Sequence, residues 1–222
     1  MSEVSIAAGK VQLAGELLLP SMATLGVVLF SHGSGSGRHS PRNQYVAREL
    51  RGAGIGTLLL DLLTVEEERR YENRFDIALL TERLGQAVRF VAGQAATRRL
   101  PVGLFGASTG AASALRVAAA TPDTVRAVVS RGGRPDLAGE AALKGVQAPT
   151  LLLVGGEDHG VIELNETALD LMSCPREMVL VPGATHLFEE PGTLEEVARL
   201  AAEWFTQWMS SSSTPRRKVA AA

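Results

Sequence analysis

Only one cysteine, Cys174, occurs in the 222 residues. A single thiol excludes an internal disulfide framework and is compatible with a reducing compartment. Charge of either sign is also scarce as an excess: the formal net charge is -2, so no basic patch points to nucleic acid. No apolar run approaches the ~18 residues that a bilayer-spanning helix needs. The opening residues Met1-Ser2-Glu3-Val4 lack the charged-then-apolar pattern of a secretory leader. A phosphate cradle is missing too. Gly33, Gly35 and Gly37 do not complete G-x-G-x-x-G, because position 38 is Arg, and no Walker lysine follows. These absences predict a soluble, cytoplasmic protein that binds neither nucleic acid nor membrane and calls for no cofactor or metal.

What is present is a core. Hydrophobic residues make up 45% of the chain, enough for one full domain and too little for two ordinary ones. One domain is expected over residues 1–209. The tail 210–222, four serines followed by Thr-Pro-Arg-Arg-Lys-Val and three alanines, reads as disordered and in part as an expression-vector remnant.

Short continuous apolar runs mark strands buried on both faces. They lie at 25–30, 55–60, 101–105, 125–129, 150–154 and 178–181. The run from Val11 to Leu19 alternates and ends at Pro20. Ser40-Pro41 reads as an N-cap and first position of a helix through Leu50. Ile77, Leu80, Leu84, Val88 and Val91 repeat at helical spacing, as do Leu194, Val197, Leu200, Trp204 and Trp208. Further helices are read over 111–120, where alanine dominates, and around Glu163 to Met172. Strand and helix alternate from about residue 25, and each crossover is long enough for a helix. The strands should therefore be parallel, with helices on both faces of the sheet. Glu66-Glu67-Glu68-Arg69-Arg70 reads as solvated surface.

Gly106-Ala107-Ser108-Thr109-Gly110 stands directly after an apolar run. It has the form of a G-x-S-x-G nucleophile elbow between a strand and a helix. The turn demands a strained serine, and side chains at the flanking positions would collide with the neighbouring strand and helix. The plainer reading of Ser108 is a helix N-cap. A serine hydroxyl attacks at neutral pH only with a base in reach and an acid to orient that base. In an open parallel sheet both belong past the carboxyl ends of later strands. Asp158 follows the strand at 150–154, with Glu157 and His159 as its rivals. Of the four histidines, His32, His39, His159 and His186, only His186 follows the last strand. Oxyanion donors are expected from the backbone N–H of Thr109, next after the nucleophile, and of Ser34 in the loop His32-Gly33-Ser34. Asp61 ends a strand and is read as a turn cap or brace. Arg131, past the strand at 125–129, could meet a substrate carboxylate or a structural partner.

Taken together, the loop His32 to Gly37, the elbow Gly106 to Gly110, the turn Gly155-Gly156-Glu157-Asp158 and the loop Gly183-Ala184-Thr185-His186 resemble the α/β-hydrolase superfamily and, within it, the dienelactone-hydrolase-like group. The resemblance spans about residues 11 to 209. It implies an eight-stranded, mostly parallel sheet with an antiparallel strand near the N-terminus. It also implies Ser108, Asp158 and His186 as a triad. Dienelactone hydrolases proper carry a cysteine nucleophile where this chain has Ser108. Residues 130–149 offer room for a loop and one short helix, so no lid domain is expected. The resulting expectation is a carboxylesterase-type serine hydrolase of short-chain acyl esters, acting on a small-molecule ester through an acyl-enzyme. An acyltransferase or peptidase with the same triad, a binding module on the same fold, and a homo-oligomer remain open.

Overall fold

A computed structural model describes residues 2–21 and 23–210. In chain order the elements are β1 Ser2–Ala8, β2 Val11–Leu18, β3 Val27–Ser31, α1 Pro41–Gly52, β4 Gly56–Leu60, α2 Val65–Glu68, α3 Ile77–Gly93, β5 Val102–Ala107, α4 Thr109–Ala120, β6 Val125–Arg131, α5 Glu140–Gly145, β7 Thr150–Gly155, α6 His159–Leu171, β8 Arg176–Val181 and α7 Thr193–Met209. Short 3-10 turns at Tyr71–Phe75 and Pro135–Ala138 complete the path.

The strands form one sheet in the order β1-β2-β4-β3-β5-β6-β7-β8. β3 to β8 pair in parallel, while β2 pairs antiparallel with both β1 and β4. β2 is thus the strand that runs against the others. Alternate residues of the central strands enter opposite layers. Val27, Leu29, Leu58, Leu104 and Val128 meet α3 and α4 on one face. Val28, Phe30, Leu59, Phe105 and Val129 meet α1 and α7 on the other. This two-sided burial is why the strands read as unbroken apolar runs. The alanines of α4 that are fully buried, Ala111, Ala112, Ala114 and Ala118, let that helix lie close to the sheet.

Three expectations need correction, and one strand carries no sequence signal. β1 escapes the pattern because only Ile6 and Ala8 of its seven residues are buried; an edge strand has little apolar demand. α6 starts at His159 rather than near Glu163; its first turn opens on the exposed His159 and Gly160, the latter a weak helix former. On α7 the buried seam is Val197, Ala198, Ala201, Trp204, Phe205 and Met209; the sequence stripe followed large side chains and missed the alanines that set the face. The charged stretch at 66–70 is only partly solvated. Thr64 and Glu67 form a capping box at α2, and Glu67 also pairs with the buried Arg83 at 2.7 Å. Burial would raise Glu67, but the Thr64 N–H and the Arg83 guanidinium outweigh it and hold the carboxyl below its usual range.

Between β6 and β7 lie only the second 3-10 turn and α5, of six residues. No lid covers the carboxyl edge of the sheet. No helix among the described residues is long and apolar enough to cross a membrane. Of the tail read from the sequence, residues 211–222 lie outside the described residues.

Phe205 is fully buried, and its ring lies over Gly103, where a Cβ would stand 2.7 Å from it. Phe205→Ala should destabilise the protein by about 3–5 kcal/mol, measured by denaturant unfolding. Leu187→Ala, at an exposed position, should stay within about 0.5 kcal/mol of the parent.

Candidate active site

Close backbone packing surrounds Ser108. β5 ends at Ala107 and α4 begins at Thr109, so one residue turns the chain. Ser108 has φ 50° and ψ -122°, a region that a residue with a Cβ occupies only under strain. The flanking glycines permit it. A Cβ on Gly106 would lie 2.5 Å from Ala111 Cα, and one on Gly110 would lie 2.1 Å from the Ser31 carbonyl oxygen. Behind the turn, Ser113 Oγ donates to the Gly110 carbonyl at 3.0 Å and lies 2.7 Å from Ser31 Oγ. This buried pair ties α4 to β3. Neither serine stood out in the sequence, because their partners are remote in the chain or belong to the backbone.

Ser108 stands at the N-cap position of α4, yet its side chain makes no capping bond. Ser40, Thr64 and Asp76 do make such bonds at their helices. The N-cap reading therefore does not account for the Ser108 hydroxyl. Asp158 repeats the pattern. It occupies the N-cap position of α6 without capping it, and its Oδ2 instead lies 2.6 Å from His186 Nδ1. A carboxylate only accepts, so Nδ1 carries the proton and Nε2 is left as the free basic nitrogen. Asp158 is the better shielded of the two, with 16% of its side chain exposed against 37% for His186. Glu157 and His159 are exposed and do not join this contact.

The three residues share one edge of the sheet. The Arg131 carbonyl accepts from the Ser108 N–H at 3.2 Å, and the Arg134 N–H donates to the Ser108 carbonyl at 3.0 Å. The turn between them abuts the histidine loop: a Cβ on Gly132 would lie 3.0 Å from the His186 carbonyl oxygen and 3.6 Å from Nδ1. Asp158 reaches the same loop because the Glu157 N–H donates to the Ala184 carbonyl at 3.0 Å.

The loop at 32–37 closes the other side. A Cβ on Gly33 would lie 3.0 Å from Ser108 Cβ. The Ser34 N–H, expected to be free for an oxyanion, donates to Thr109 Oγ1 at 3.0 Å; no sequence signal links residues so far apart in the chain. His32 holds this loop in place. Its Nδ1–H donates to the Gly33 carbonyl at 2.9 Å, and its Nε2 accepts the Leu62 N–H at 3.0 Å. Burial keeps the imidazole below its ordinary pKa, against the Gly33 bond and the fields of Asp61 and Glu68. Asp61 braces the same loop by accepting from the Arg38 N–H at 2.7 Å and pairing with its guanidinium. Next to it opens a cavity of about 330 Å³ lined by His32, Ser36, Asp61, Leu63, Val65 and Arg74 among others.

Two further side chains are buried. Arg131 is buried at the end of β6, on the sheet face of Ala107 and Leu153, its register partners. Burial and the nearby Arg42 push its pKa down to about 10, and its Nε and Nη1 have no partner. Cys174 is buried between α6 and β8, 3.9 Å from Thr150 Oγ1, with its thiol pKa raised by burial. Among the described residues, no group of His, Cys, Asp and Glu gathers as a metal ion would require.

The geometry sets two expectations. Gly110→Ala should cost about 1–3 kcal/mol by overpacking, read as a Tm lowered by several degrees. His32 sets a pH dependence. Its folded pKa is depressed, so below about pH 6.5 the unfolded chain takes up a proton that the folded chain refuses. Stability falls as the pH drops through that window. The stability difference between wild type and His32→Gln should therefore shrink from about pH 7.5 to about pH 5; a constant difference would show that His32 does not titrate in this way.

Residues 22–213 match the dienelactone hydrolase family. A dienelactone hydrolase from Anabaena variabilis ATCC 29413, of known structure, is 55% identical; the match covers 93% of this chain and 97% of that one, with a TM-score of 0.90. A lidless α/β serine hydrolase of Xanthomonas campestris shares the fold at 21% identity and a TM-score of 0.76, covering 93% of this chain and 94% of its own. Proteins from two strains of Mycobacterium tuberculosis, provisionally named phosphoribosyl transferases, are 58% identical over 203 residues, or 91% of this chain. The chain spans about half the length of these curated relatives, 45%. On the family match and the likeness to the Anabaena protein, the chain belongs to the dienelactone hydrolase family.

Proposed function

We propose that the chain is a serine carboxylesterase of short acyl esters. One observation carries this reading: a strained, uncapped Ser108 stands across the 131–134 turn from an Asp158–His186 pair at 2.6 Å. His186 Nε2 takes the Ser108 proton as Oγ adds to the ester carbonyl. Asp158 keeps the imidazole in the right tautomer and stabilises its charged form. Collapse of the tetrahedral intermediate expels the alcohol, which receives that proton. Water activated by the same histidine then releases the acid. The Thr109 N–H, in the first turn of α4, faces the charge that develops on the carbonyl oxygen.

Short, soluble esters fit the open edge of the sheet and the small cavity beside the 32–37 loop. That cavity mixes the apolar Leu63 and Val65 with Arg74, whose charge Glu68 offsets at 2.8 Å. The buried Cys174 cannot serve as the nucleophile from its place at the amino ends of β7 and β8, opposite the edge that carries Ser108. The transferase name of the mycobacterial relatives refers to proteins about twice as long, of which this chain matches 45%.

Initial rates on p-nitrophenyl esters from acetate to decanoate test the proposal. Wild type should hydrolyse the short chains best and bind a fluorophosphonate at Ser108. Ser108→Ala should fall to background at an unchanged Tm, and Asp158→Asn should lose about 10³–10⁴-fold in kcat. Near-normal activity of Ser108→Ala would sink the assignment. Added alcohol or peptide acceptors would expose acyl transfer or peptide cleavage in the products.

A further inference from the structure

The Thr109 hydroxyl is buried beside the nucleophile and has a proton that nothing accepts. Its oxygen accepts the Ser34 N–H at 3.0 Å, and the residue is only 4% exposed. Three other threonine hydroxyls at helices return their protons to the carbonyl four residues back: Thr81 to Ile77, Thr121 to Val117 and Thr167 to Glu163. Thr109 lacks that outlet. It is the first residue of α4, and the residue four positions earlier, Phe105, belongs to β5. No carbonyl or carboxylate among the described residues takes its proton. Such a donor, held by a backbone N–H on one side and unused on the other, is set for an acceptor that arrives with the substrate.

We infer that the Thr109 hydroxyl is itself an oxyanion-hole donor, and that Ser34 acts through it: the Ser34 N–H polarises the hydroxyl, and the hydroxyl donates to the oxyanion. The inference rests on the esterase reading and deepens it. When Ser108 Oγ bonds to the carbonyl carbon, the π pair moves onto the carbonyl oxygen and the Oγ proton passes to His186. The new negative charge then meets two donors from one residue, the Thr109 N–H and O–H. When the carbonyl re-forms, the leaving alkoxide takes the proton back from His186 and both Thr109 donors remain in place. A chain of N–H to O–H to O⁻ strengthens at each link, because each donor is polarised by the one behind it. The arrangement also explains why Ser34, exposed on the loop, is tied to Thr109 before any substrate is present.

Thr109→Val, Thr109→Ser and wild type are compared on p-nitrophenyl acetate, with Tm and the rate of fluorophosphonate labelling read for each. Valine keeps the shape and the backbone N–H but removes the hydroxyl. The expected result is a kcat lower by about 10²-fold with little change in KM, slower labelling and a Tm near wild type, while Thr109→Ser retains most of the rate. A Thr109→Val enzyme as fast as wild type, or faster, would overturn the inference: the Ser34 N–H, once released, would then be the donor and the hydroxyl only a latch. Equal losses in Val and Ser would overturn it too, pointing to the methyl group. If wild type itself shows no Ser108-dependent turnover or labelling, the esterase reading falls and takes this inference with it.

Discussion

Everything at the candidate site depends on the sharp turn at Ser108. Residue 107 ends a strand and residue 109 begins a helix, so a single residue bears the whole change of direction at φ 50°. Strain of this kind costs about 1–3 kcal/mol and persists only where the surroundings leave no alternative. Here they leave none. Gly110 lies against the Ser31 and His32 carbonyls, Gly106 against the backbone of α4, and Gly33 against Ser108 itself. β3, β5 and α4 close around the serine at distances that only backbone without side chains allows. The same closeness brings the 32–37 loop within hydrogen-bond reach of Thr109, so the proposed oxyanion region is a by-product of the packing that strains Ser108.

This constraint also explains what could be read from sequence. The central sheet was legible because its strands are buried on both faces, which leaves runs such as Leu151-Leu152-Leu153-Val154 with no other use. Ser108, Asp158 and His186 were legible as candidates because a parallel sheet puts functional groups at its carboxyl edge, and each stands just past a strand. β1 was not, since an edge strand with two buried side chains carries almost no pattern. Nor was the Ser34–Thr109 bond, a contact between a loop's backbone donor and a hydroxyl at a helix start remote in the chain. Arg131 could not be placed either. Its residue type suggests an exposed ligand-binding group, but the side chain is buried in the layer of its register partners Ala107 and Leu153.

Ser108 and Asp158 show why residue type alone misleads at such a site. Serine and aspartate before a helix are the usual N-caps, and capping explains Ser40, Thr64 and Asp76 fully. At α4 and α6 the position is kept and the capping bond is withheld. In Asp158 the oxygen goes to His186; in Ser108 it remains unpaired. A helix start that forgoes its cap gives up about 0.5–2 kcal/mol, a loss that is accounted for when the side chain has another use.

The fold also settles where charge can reside. Each parallel strand ends at the carboxyl edge of the sheet, where the next helix starts before carrying the chain back to the amino edge, so the positive ends of α4 and α6 gather on that side. Both negative charges that the proposed serine-hydrolase mechanism requires would fall on such ends: the Asp158 carboxylate at the start of α6, and the oxyanion at the start of α4. His186, which would carry the cation in that mechanism, belongs to no helix start; it sits in the loop after β8, in contact with the carboxylate. One rule of chain direction therefore separates the charges that must be stabilised by backbone dipoles from the one that must come and go, and it does so before any particular side chain is chosen.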